Sequence, residues 1–337
     1  MTPSTQWREV VTAGEAERFE GYARQLAELQ RSRARTGAAD RGLHAKGTGG
    51  VLAEFTVLPG LAAHLRQGLF AAPKTYKAYA RFSNGSPFRQ PDRTPDIRGI
   101  AIKLLGVDGR KIIPGMEDAR TQDFLLIRNP STPFRNADQF VGLVLAGTRP
   151  AKLIPWLLST FGVVGTLRKL PRMARSVARP IPSLATTRFY SALPSTFGPY
   201  AARFDLVPTS GEASGGVTPP DLRDELAARL RQGPVEYEFR VQFFVDETRT
   251  PIEDASVDWP EDVAPYATLG RLTLPQQDAG SPEGERVARE IEKLSFDPWH
   301  SQEQFRPLGS MMRARNHAYR LSTQTRVAAA EPDGSSP

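Results

Sequence analysis

The chain has 337 residues, 39% of them apolar and 24% charged, enough to build one large domain around an ordinary core. It contains no cysteine, which excludes disulfides, zinc-thiolate sites, iron–sulfur clusters, a thiolate haem ligand and a cysteine nucleophile. The net charge of +7 is local: nine lysines and arginines lie between Asp138 and Asp205 with no acidic residue among them, so a global field for nucleic acid is not expected.

The first ten residues lack the basic-then-apolar pattern of a signal peptide, and a cytoplasmic location is the default expectation. Residues 15–35 are predicted to form an amphipathic helix, with Phe19, Tyr22, Leu26 and Leu29 on one stripe. A glycine-rich turn then enters a strand in which Val51, Ala53, Phe55 and Val57 alternate. Further strands are predicted at 77–83, 99–105 and 123–127. The apolar run Leu153–Leu167 contains Pro155 and is too short to span a bilayer. Helices are predicted at 220–231, 283–294 and about 309–325, and strands at 235–245 and 267–274. Strands cluster early and again late. The order fits an α+β class with a largely antiparallel sheet, either open or closed into a barrel, rather than βαβ units. One domain is expected over 1–326, with 140–204 as a basic, helix-rich insertion or cover and 327–337 as a disordered tail.

Two segments carry chemistry. Arg41-Gly-Leu-His44-Ala-Lys46-Gly47 leads into the first strand; alone, its histidine is as well explained by a structural role. The glycines match no GxGxxG or Walker pattern, so nucleotide binding is not expected. At the other end, Met312, Arg315, Tyr319, Thr323 and Arg326 advance by helical spacing and share one face. Two arginines and a tyrosine make a poor core stripe, so the face is either solvated or covered by a flat anionic group. Haem suits it: tyrosine can ligate ferric iron once its proton, held by an ordinary phenol up to pH ~10, is removed. His317 points away from that face.

His44-Ala-Lys-Gly, Arg81-Phe-Ser83, Asp96-x-Arg98-Gly99 with Lys103 following, and Arg315-x-x-x-Tyr319 occur in this order. Together they resemble the haem catalase superfamily, and within it the compact catalase-like peroxidases. The resemblance implies a catalase-type antiparallel barrel with a proximal C-terminal helix and a haem b cofactor. It implies Tyr319 as the axial iron ligand, Arg315 as the phenolate partner, and Met312 on the same proximal face. His44 becomes the distal histidine and Ser83 the residue that fixes its tautomer. Arg41, Arg81 and Arg326 become propionate contacts, and Phe134 a ring over a pyrrole. Where full catalases carry a distal asparagine, this chain has Thr121-Gln122, so Thr121 is a candidate catalytic residue.

The expected activity is peroxide cleavage through a ferryl intermediate with a small organic reductant. The alternatives are catalase dismutation, an allene oxide synthase-like rearrangement of a hydroperoxide, or, outside enzymes, a haem carrier or sensor. A homo-oligomer is compatible with the sequence. The basic, apolar segment 149–179 is compatible with weak peripheral contact with anionic lipid, although such stretches more commonly cover a core or a subunit neighbour.

Overall fold

A computed structural model describes residues 3–33, 41–213 and 215–333. Nine strands form the sheet: β1 (Gly47–Val57), β2 (Thr75–Asn84), β3 (Arg98–Leu105), β4 (Thr121–Ile127), β5 (Phe189–Tyr190), β6 (Ser195–Phe197), β7 (Tyr200–Pro208), β8 (Val235–Phe243) and β9 (Tyr266–Leu274). All pairings are antiparallel, in the order β5-β4-β3-β2-β1-β9-β8-β7-β6. An additional β5–β7 pairing, Tyr190 opposite Asp205, closes eight of the strands into a barrel and leaves β6 beside β7. Closure removes the exposed sheet edges.

Period-two alternation decides what fills the barrel. Val51, Phe55, Phe82, Ile100, Ile102, Phe124, Phe204 and Phe239 belong to one inner core. Several of its aromatic rings meet edge to face, as in Phe124 on Phe239 at 5.0 Å and Phe55 on Phe239 at 5.2 Å. The residues between them point outward, so Arg81, Ser83, Gly99, Ala101, Lys103 and Asp123 share the outer face of β2–β4. Register places Arg81 between Gly50 and Ala101, and Ser83 between Gly47 and Gly99. Small neighbours thus leave these two polar side chains standing on a flat, open sheet surface.

The helices are α1 (Glu15–Arg33), α2 (Ala137–Gly147), α3 (Pro150–Ala178), α4 (Leu222–Gln232), α5 (Pro282–Lys293) and α6 (Ser310–Thr325). The last two residues expected in the first helix, 34–35, lie outside the described residues. Helix α6 is fastened by Arg313, which bonds Glu9, Glu15 and Glu253, and α1 runs alongside it, from the Glu15–Arg313 pair to Gln30 donating to the Ser322 carbonyl. Gly47 and Gly50 serve packing. A Cβ at Gly50 would stand 3.1 Å from the Ala288 backbone, and one at Gly47 would stand 2.9 Å from Glu292, so the glycines let α5 lie against β1.

Two expectations require correction. The segment 140–204 is helix-rich over α2 and α3 but is not merely an insertion or cover, because β5 and part of β7 complete the barrel there and β6 pairs beside β7. Two of its cations are also internal: Arg188 pairs with Asp205 and Glu261, and Arg203 lies 4.4 Å from the Trp259 ring. The expected disordered tail is anchored over its described part, 327–333. Ala329 donates to the Lys293 carbonyl, and Glu331 bonds Lys103 Nζ at 2.8 Å and the Thr121 hydroxyl at 2.9 Å. A buried lysine needs anionic partners, and Lys103 takes Asp123 at 2.7 Å as its second. Residues 334–337 lie outside the described residues. Removing the cation by Lys103→Met strands two carboxylates and is expected to destabilise the fold by about 3–5 kcal/mol, measured by denaturant unfolding.

Candidate functional site

The outer face of β1–β4, the strand-entry segment 41–46 and helix α6 bring together residues from both ends of the chain. His44 adopts a left-handed backbone, φ 57°, whose cost is of order 1–3 kcal/mol. Three contacts hold it. The His44 N–H donates to the Gly85 carbonyl, the Ala45 N–H donates to the Ser86 carbonyl, and Arg41 Nε donates to the His44 carbonyl at 2.7 Å. The turn that supplies those carbonyls is itself fixed by Asp96, which accepts from Ser86 N and Ile97 N, and by Arg98, which donates to the Asp92 carbonyl. Lys46 and Asn84 both reach the Asp92 carboxylate. The Asp96-x-Arg98 motif therefore positions the histidine rather than doing chemistry.

On its other side the His44 ring meets Ser83, Nδ1 to Oγ at 3.0 Å. Burial, with the charges of Arg41, Arg81 and Arg315, pushes the His44 imidazole down to about 3. It is neutral at ordinary pH, with Nδ1 held by the hydroxyl and Nε2 left to take a proton. Gly99 gives the ring its room: a Cβ there would stand 3.3 Å from His44 Cε1 and 3.1 Å from the Leu126 carbonyl. Gly99→Ala is expected to shift the ring by a few tenths of an ångström. Turnover should then fall on the order of tenfold, since a ~1 Å displacement at a reacting group costs ~100-fold; steady-state peroxide consumption checks this.

On α6, Arg315 Nη2 donates to the Tyr319 hydroxyl oxygen at 2.7 Å, and its Nη1 reaches Met312 Sδ at 3.6 Å. This is the i, i+4 contact that the helical stripe requires. Trp299 Nε1 donates to the Met312 carbonyl and ties the preceding loop to the helix. The two halves of the site act on one another. Arg315 is near enough to depress His44, and Tyr319 near enough to bear on Arg81.

Arg81 is only 6% exposed and its guanidinium carbon lies 4.2 Å from the Phe296 ring centroid, yet its Nε and Nη1 have no hydrogen-bond partner among the described residues. Burial and the like charges of Arg41 and Arg326 make its proton easier to lose than an ordinary guanidinium's. Glu292, which pairs with Arg41, is a carboxylate set against these three arginines. Arg326 itself rests on the C-terminal carbonyls of α5, donating to Leu294 O at 2.6 Å. An unpaired buried guanidinium is costly, and a group carrying carboxylates at this place would remove the cost. The residues present therefore fit a haem with its propionates.

Phe134 is buried against Phe140, ring centroids 6.1 Å apart, in the loop before α2. Thr121 is a correction. It is buried at the far end of β4, bonded to His300 Nε2 and Glu331. Its strand partner is Leu105, whereas Gly99, beside His44, pairs with Ile127. Six residues of strand, about 20 Å, separate the two ends. Because its one hydroxyl proton goes to Glu331, His300 Nε2–H donates to Thr121. Among residues that sequence reasoning missed, Phe296 and Glu292 had no motif to mark them; only their position just before the α6 stripe could have suggested a role.

A closed antiparallel barrel with polar groups on its outer face and a tyrosine-bearing helix over them defines the catalase fold. A crystal structure of a fungal catalase superposes with TM-score 0.69 and 17% identity, over 92% of this chain and 63% of that one. Catalase A from Saccharomyces cerevisiae gives 0.65 and 15%, over 90% and 64%. The chain spans less than two thirds of the length of these catalases. No protein-family profile matches it. A catalase-related peroxidase of Mycolicibacterium paratuberculosis (strain ATCC BAA-968 / K-10) is 30% identical over 306 residues, 85% of this chain and 89% of that protein. The chain belongs to the catalase-related peroxidase family, within the catalase superfamily.

Proposed function

We propose that the protein is a haem-dependent peroxidase that cleaves hydrogen peroxide or organic hydroperoxides and is returned to its resting state by a small organic reductant. The observation that carries this is the buried Arg81 guanidinium with unsatisfied nitrogens, on the same outer strand face as Ser83 and within electrostatic reach of both His44 and Tyr319. Tyr319 would hold the iron through its phenolate oxygen, with Arg315 donating to that oxygen and keeping it anionic. Arg41, Arg81 and Arg326 would take the propionates. Held there, a haem would supply the redox chemistry that O–O cleavage needs.

The chain's own residues move the proton. Ser83 orients the ring through Nδ1, and neutral His44 accepts the proton of the incoming hydroperoxide at Nε2. It then returns that proton to the departing oxygen, so that water or an alcohol leaves. Thr121, six strand residues from Ile127, the strand partner of the Gly99 that adjoins His44, is too far away to orient a second peroxide there, which favours the peroxidase reading over dismutation. The test measures oxidation of a phenolic reductant by a hydroperoxide and, in parallel, oxygen release from hydrogen peroxide. Reductant oxidation with little oxygen supports the proposal. Rapid oxygen release without reductant oxidation contradicts it in favour of a catalase.

A further inference from the structure

Helix α3 does not cover the barrel with its apolar residues, as the sequence led us to expect. At Gly162 the backbone turns through φ 65° and ψ 178°, a conformation suited to glycine, and the helix doubles back. Thr166 Oγ1 consequently donates to the Leu157 carbonyl at 3.0 Å, a contact between residues nine apart that a straight helix would hold about 13 Å apart. Trp156 and Phe161 pack edge to face just before the turn, with the Trp156 indole against Gly142 of α2. Its tip presents Leu158, Val163, Val164 and Leu167 to solvent, the last three at 65%, 62% and 66% exposure.

We infer that this hairpin is a docking wedge for the surface of an anionic lipid bilayer, with the valine tip entering the acyl boundary and the flanking cations meeting headgroups. Four large apolar side chains exposed together are unusual on a soluble surface and mark an interaction site. Lys152, Arg168, Arg172 and Arg175 lie along the two arms behind the tip and are exposed, and the segment between Asp138 and Asp205 carries no acidic residue of its own. That pairing of an apolar tip with a one-sign cationic collar is what an interfacial helix needs for anionic lipid. A second copy of the chain is a worse occupant, since a face-to-face contact would bring two such collars together. No helix of the described residues is long and apolar enough to cross a membrane, so the wedge would lie on the bilayer rather than span it.

The base of the hairpin is rigidly tied. Lys169 Nζ donates to Pro133 O, Asn129 Nδ2 to Ser176 O, Arg172 Nη2 to Ser256 O, and Arg128 Nη1 to Arg179 O. Docking would therefore hold the Phe134 loop, and the barrel behind it, at a fixed attitude to the lipid. The wedge rests on none of the haem assignments.

The experiment is vesicle flotation of the full-length protein with phosphatidylcholine vesicles and with vesicles that also contain phosphatidylglycerol, at low and high salt. Binding only to the anionic vesicles, weakened by salt, is expected. Val163→Asp with Val164→Asp should weaken it about tenfold or more, as should Arg168→Glu with Arg175→Glu. Both pairs are exposed, so circular dichroism and the melting temperature should be unchanged. Three results overturn the inference: no flotation with either vesicle, flotation indifferent to the valine substitutions, or a soluble oligomer that Val163→Asp with Val164→Asp splits into monomers, which would assign the tip to a second copy. Flotation is scored by protein position alone, so loss of peroxide turnover with intact flotation would count against the peroxidase proposal and leave the wedge standing.

Discussion

Tyr319→Phe is expected to yield a folded protein that does not retain haem. The substitution removes one oxygen and leaves the ring, so α6 keeps its packing through Met311, Met312 and Ala314. That oxygen is the one to which Arg315 donates at 2.7 Å. Loss of an outer partner to a metal ligand costs about 10–100-fold in affinity, and loss of the ligand atom itself should exceed ~100-fold. Haem titration followed at the Soret band, with circular dichroism as the control for folding, measures this. Arg315→Leu should fall in the smaller range, because the phenolate oxygen remains but loses its donor. Normal haem loading in Tyr319→Phe would remove α6 from the site.

His44→Ala should behave in the opposite way, retaining haem while losing peroxide cleavage by about 10²–10⁴-fold, the contribution of a positioned proton carrier. The sign of the pH response follows from the lowered imidazole pKa. With the group at about 3, His44 is neutral and competent above that value, and its contribution disappears only as the pH falls toward it. Between about pH 5 and 8, where an ordinary histidine changes charge, turnover should show no step from this residue. Ser83→Ala keeps the imidazole but frees it to rotate, so it should lower turnover less than His44→Ala. Equal turnover in His44→Ala and the unaltered protein would remove this residue from proton transfer.

Much of the architecture was legible because alternation is a strong signal. The predicted strands at 77–83, 99–105 and 235–245 lie within two residues of β2, β3 and β8 at each end. Strand β7 was missed although Tyr200, Ala202, Phe204 and Leu206 alternate inward. Its outward residues are buried as well, with Asp205 taken by Arg188 and Arg240, so no solvent-facing polar stripe announced the period. On the site, the Arg315–Tyr319 contact follows directly from helical spacing, and the His44–Ser83 contact followed from a resemblance. What spacing could not show was register. Thr121 stood near Ile127 in sequence, but an extended strand converts six residues into about 20 Å, and the antiparallel pairing sends its ends apart. The tail misled for a different reason: its small and polar composition predicts disorder, whereas one carboxylate, Glu331, answers the buried charge of Lys103.

The central claim, a haem held between Tyr319 and His44 for peroxide cleavage, is tested most directly by the absorption spectrum of the purified protein before and after a hydroperoxide is added with an organic reductant. The expected result is a Soret band that shifts on addition of the hydroperoxide and returns as the reductant is oxidised. A protein that takes up no haem when it is supplied, or whose haem band is unmoved by hydroperoxide, would contradict the account.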